Sequence, residues 1–121
     1  MHYLAAHPPP NPSDWAGIED PSERLRAGLE GLYSYYEANQ QMMANVLRDS
    51  AVMPVGAGFR ALHAAASEAL ALSHPSGRQP AAFAVAVRLA TDFRVWQALG
   101  PPSDLSPAEA AGLMSRMLTC L

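Results

Sequence analysis

Apolar residues recur along this chain at the three- and four-residue spacing of helices, and no segment alternates by two as a strand does. The richest stretch, residues 80–99 (PAAFAVAVRLATDFRVWQAL), reads as one helix of about five turns. It carries two apolar stripes. One is bulky: Val85, Leu89, Phe93 and Trp96. The other is mostly small: Ala84, Val87, Val95 and Ala98, with Thr91 among them. Arg88 and Asp92 lie between the stripes at ion-pair spacing. A helix apolar on two sides is packed on two sides. This pattern predicts either the central helix of a bundle or a helix with one stripe against another subunit.

The remaining elements fall around it. Residues 1–19 read as an extended, Pro-rich segment because His7-Pro8-Pro9-Pro10-Asn11-Pro12 fixes φ repeatedly; Trp15 and Ile18 pin its end to the domain. Residues 20–121 form the helical domain. Asp20 as N-cap, Pro21 at the first helical position and Glu23 as reciprocal partner open a helix that runs to Asp49. Leu25, Leu29, Leu32, Tyr33, Tyr36, Met43 and Leu47 make its apolar face, and Asn39-Gln40-Gln41 marks a break or kink. Gly28 and Gly31 cost helix stability, which predicts close approach of another helix. Ala51 to Gly58 is a connection; the next helix begins near Pro54 or Val55, ends near Leu72 and buries Phe59, Leu62, His63, Ala66 and Leu70. Ser73-His74-Pro75-Ser76-Gly77 is a loop, and Gly100-Pro101-Pro102 stops the 80–99 helix. Ser106, Pro107 and Glu109 cap the last helix, whose stripe is Leu113, Met114, Met117, Leu118 and Leu121. The fold class expected is all-α, a four- or five-helix bundle.

Composition narrows the function classes. At 121 residues, half of them hydrophobic, the chain suits one domain with a real core. Its net charge of −3, with every basic residue an arginine, offers no basic face for a phosphate backbone, so this chain alone is not expected to bind nucleic acid. One cysteine, Cys120, excludes an internal disulfide and suits a reducing cytoplasm. The first residues carry no signal-peptide pattern, and the apolar run at residues 81–87 is too short to span a bilayer, so no membrane partner is expected.

Candidate chemistry is sparse. His2, His7, His63 and His74 have no metal-ligand spacing, and no phosphate loop or nucleophile elbow is present. No metal, cofactor or catalytic residue is expected. His63, alone on an apolar face, reads either as bound to a backbone carbonyl or as a polar handle in a ligand pocket. Tyr33 and Tyr36 either sit in the core with their hydroxyls partnered or orient a ligand. Met42 and Met43 would suit an adaptable pocket but are equally at home in a core. The small stripe of 80–99 and the stripe of the last helix make a two-helix face; doubled about a two-fold axis it gives a four-helix dimer interface.

Two runs carry a resemblance. Trp15 to Leu29 (WAGIEDPSERLRAGL), with Leu32-Tyr33-Ser34-Tyr35-Tyr36 and Val46-Leu47-Arg48-Asp49, is one. Phe93-Arg94-Val95-Trp96-Gln97-Ala98-Leu99, followed by Leu105 to Ala111, is the other. Together they resemble the C-terminal domain of TetR-family transcriptional regulators, over nearly the whole chain from Trp15. The resemblance implies a homodimer formed by the last two helices and a small-molecule effector pocket between the earlier ones. It implies a cytoplasmic repressor that reads DNA only through an N-terminal helix-turn-helix domain, which this sequence lacks. The expected ligand, apolar or aromatic, lies among Tyr33, Tyr36, Met43, Phe59, His63, Phe93 and Trp96. The expected dimer face holds Ala84, Val87, Thr91, Val95, Leu113 and Met117. The competing expectation is a stand-alone helical interaction module without DNA binding.

Overall fold

The computed structural model describes residues 10–49, 57–74 and 78–121, with the backbone alone at residues 47, 49 and 57–59. The His7-Pro8-Pro9 run, most of the 51–58 connection, the 75–77 loop and the side chains of Leu47 and Phe59 lie outside the described residues. Within them the fold is all-helical, with no strand. The helices are α1 (Ser13–Ala16), α2 (Pro21–Ala38), α3 (Gln40–Asp49), α4 (Ala57–Ala71), α5 (Pro80–Ala90), α6 (Phe93–Leu99) and α7 (Pro107–Leu118), with a 3-10 turn at Pro101–Ser103.

α2 is the centre of the bundle. It packs along α7 and also meets α1, α3, α4 and α6. Leu25, Leu29, Leu32, Tyr33 and Tyr36 are buried on it, as the spacing predicts. Asp20 caps it by accepting the Glu23 N–H at 3.1 Å. Glu23 does not reciprocate: its carboxylate turns to Arg26, a full charge one turn along, and Arg26 also reaches Glu30 at 2.6 Å. Gly28 permits the close approach expected of it, since a Cβ there would lie 2.5 Å from Leu70 Cδ2 of α4. Among the described residues, a Cβ at Gly31 would meet only Pro10, at ordinary contact distance. Asn39 makes the break between α2 and α3, its amide donating to the Tyr35 carbonyl at 2.9 Å.

Residues 10–19 are less extended than their prolines suggest. The Asn11 N–H donates to the Asp14 carboxylate at 3.0 Å, and the Asn11 side-chain oxygen accepts the Ser13 N–H at 3.0 Å, which starts the α1 turn. That turn buries Trp15 against the core, with Ile18 beside it. Arg24 then ties two connections together, donating to the Ile18 carbonyl at 2.7 Å and to Ser73 Oγ at 2.8 Å. The Ser106–Glu109 capping box forms in full at the start of α7. Gly100 ends α6 with a negative φ; its missing Cβ leaves room for Trp96, whose Nε1 would lie 3.2 Å away.

The 80–99 stretch departs most from its pattern. It is two helices, not one five-turn rod, and it flanks α2 instead of forming the centre.

Candidate functional site

The break at Thr91-Asp92 is built by side chains. The Thr91 hydroxyl donates back to the Val87 carbonyl at 2.8 Å, a contact that loosens a helix from within. Asp92 takes extended backbone, and its carboxylate accepts the N–H groups of Arg94 at 2.8 Å and Val95 at 3.3 Å, capping α6. Asp92 is thereby drawn away from the Arg88 pairing that its spacing suggests.

Ending a helix in the interior leaves carbonyls that must find donors. Every one of them does here. Val87 accepts from the Thr91 N–H at 3.0 Å, and Leu89 from the Asp92 N–H at 3.1 Å. Ala90 accepts the Tyr33 hydroxyl at 2.6 Å, and Thr91 the Tyr36 hydroxyl at 2.5 Å. The Arg88 carbonyl lies 2.8 Å from His63 Nε2. A carbonyl has no proton to give, so Nε2 carries the hydrogen and Nδ1 is the acceptor of the neutral ring. Burial holds the phenols of Tyr33 and Tyr36 well above their usual range, and the Asp92 charge adds to this at Tyr36. Both stay neutral donors at ordinary pH.

Beside this break lies an open pocket of about 240 Å³. Tyr36, Met43 and Phe93 give it an aromatic and apolar floor; His63, Arg60, Asp92 and Arg94 complete it. Four residues expected at a ligand site, Tyr36, Met43, His63 and Phe93, thus share one wall. Tyr33 and Trp96 sit behind it in the core, with the Trp96 ring centroid 6.0 Å from that of Tyr36 and 5.8 Å from that of Phe93. One nitrogen of His63 is bound to a carbonyl, as the first reading expects, and its ring also lines the pocket. The sequence reading missed Arg60, Asp92 and Arg94. Arg60 stands three residues before His63 and so shares its helix face, the one signal that could have found it.

A second surface runs along α5 and adjoins this pocket, with His63 and Asp92 lining both. A shallow groove of about 790 Å³ runs along Ala81, Ala82, Val85 and Leu89 to the C-terminal Leu121. Val85 is 64% exposed, Leu89 62% and Met117, on α7, 58%. The stripe expected to face a partner is redistributed. Val87 and Thr91 are fully buried in the protomer's own core, so neither is available to a second subunit. Ala84, Val95 and Leu113 are half-buried, and Met117 is open. The reason is the break: α5 buries its Phe83, Val87 and Ala90 side, whereas α6 turns Phe93 and Trp96 inward on its own register. The bulky stripe is cut in two, and its first half, Val85 and Leu89, faces out.

Among the described residues, no three His, Cys, Asp or Glu side chains gather in a metal-binding group, and no helix is long and apolar enough to cross a membrane. Comparison with protein-family models, curated proteins and solved structures finds no match to this chain.

Proposed function

We propose that this chain is the effector-sensing and dimerisation domain of a TetR-like transcriptional regulator. The two runs of resemblance and the all-helical bundle support the reading. The observation that carries it is that the pocket at the end of α5 adjoins the exposed apolar stripe of α5, with His63 and Asp92 lining both. Tyr36 and His63 hold the last carbonyls of α5 and its C-cap, and both line the pocket. Along the same helix Val85 and Leu89 are exposed and open to a partner.

A ligand in the pocket touches the side chains that fix the end of α5. If it binds one setting of that end more tightly than another, it shifts the population of the two settings. In a dimer closed through Val85, Leu89, Met117 and Leu121, such a shift changes how the protomers sit against each other. The reading assigns no DNA contact to the residues of this sequence. Light scattering over a concentration series tests the dimer. The expected result is a dimer at tens of micromolar that Val85→Asp with Leu89→Asp converts to a folded monomer. A wild-type monomer at that concentration overturns this half of the reading. The same open stripe also suits a helical interaction module, and a stoichiometric partner of different sequence co-purifying from the native cell would favour that function.

A further inference from the structure

We infer that the pocket beside the α5–α6 break takes an aromatic carboxylate, its ring on Phe93, Tyr36 and Met43 and its carboxylate between Arg60 and Arg94. This rests on the sensing reading above and names the class of its ligand.

The polar groups of the pocket are unequally committed. The Tyr36 hydroxyl is bound to the Thr91 carbonyl, and the Asp92 carboxylate is held by two backbone N–H groups. His63 is bound to the Arg88 carbonyl through one nitrogen only. It remains with Arg60 and Arg94, and of the three only the two arginines, both on the exposed rim, are fixed cations. Among the described residues neither makes an ion pair, whereas Arg26 makes two. The pocket therefore holds two cations against one anion, which caps α6 through a single oxygen, within a chain whose net charge is −3. Guanidinium groups present paired donors that match the two oxygens of a carboxylate. Below them, Phe93 and Tyr36 meet edge to face with centroids 5.4 Å apart, and Met43 closes the floor with its polarisable sulfur. A flat ring stacks or packs on such a floor, which has no unpartnered donor to reward a purely polar anion. Size agrees: a cavity of about 150 Å³ holds benzene, and this one, at about 240 Å³, has room for a ring and its acid group.

Calorimetric titration of the whole chain with 2-naphthoate and with its neutral isostere 2-naphthamide tests the inference. The Arg60→Gln, Arg94→Gln double variant is titrated beside it, after thermal melting shows that it remains folded. The expected result is at least tenfold tighter binding of the acid than of the amide. That gap closes in the double variant and narrows with added salt. Equal affinity for acid and amide overturns the carboxylate assignment and leaves the sensing reading standing. Acid preference that survives the double variant overturns the role of the two arginines. Binding of neither probe at millimolar concentration overturns both the inference and the pocket as a sensor of aromatic ligands.

Discussion

The α2–α7 seam and the α5–α6 corner close the same bundle by different means. Along the seam α7 lies against α2 with Ala110 and Ala111 fully buried and Leu118 nearly so. Nothing there depends on a particular polar atom; the seam is a matter of volume and fit. The corner depends on identity. Two phenols, an imidazole, a threonine and an aspartate each meet a named backbone group. Volume is not filled there, and a pocket remains. The seam should therefore be sensitive to size and the corner to chemistry.

The largest effect is expected in the seam. Leu118→Ala removes a side chain that is 4% exposed and should cost about 2–5 kcal/mol in urea unfolding, the range for a buried leucine truncated in a packed interior. A loss under 1 kcal/mol would show the seam to be as open as the corner. Next comes Tyr36→Phe, which keeps the ring and removes only the donor to the buried Thr91 carbonyl. Its cost should be about 1–3 kcal/mol, the penalty of an orphaned buried acceptor.

The same variant carries a pH signature. Burial raises the folded-state titration of Tyr33 and Tyr36, while an unfolded tyrosine ionises near pH 10. Above that pH the unfolded state has released protons that the folded state keeps, so stability falls as pH rises and is fully present below it. Tyr36→Phe should make the alkaline limb of an unfolding-midpoint-against-pH curve shallower. An unchanged limb would mean that the phenol is not held neutral. The smallest effect belongs to Asp92→Ala, which deletes the α6 cap and should cost about 0.5–2 kcal/mol by the same urea titration.

The helix starts and the α2 side of the seam were legible in the sequence. The α7 side, where Ala110, Ala111 and Ser115 are buried with Leu118 in place of the bulky stripe expected, and the corner were not, for a physical reason. Ser106-Pro107 with Glu109 and Asp20-Pro21 are local signals, and both helices begin where those residues say. The buried face of α2 follows from 3.6-residue spacing alone. In residues 80–99 the same spacing continues across Thr91-Asp92, so periodicity reads through the break. The signal against it was local and short: a β-branched residue that bonds back into the helix, then an aspartate of N-cap type. The pocket was half legible. Tyr36, Met43, His63 and Phe93 are apolar or aromatic residues on inward faces. Arg60 and Arg94 look like ordinary solvated charges until α4 and α6 are brought together.

The hydrogen bonds that end α5 also bear on the order in which the chain folds. The donors to Ala90 and Thr91 lie 57 and 55 residues upstream, in α2. Joining them requires closure of a long loop, so the contact comes after local helices have formed. Before α2 arrives, nothing from it partners those carbonyls, and the nascent 80–99 segment is free to satisfy them by running straight through as one helix. Docking of α2 then exchanges backbone donors for phenolic ones and bends the rod. A synthetic peptide of residues 80–99 should thus be less sharply broken than the protein, because Thr91 and Asp92 still weaken the helix there while the phenols that hold the freed carbonyls are absent.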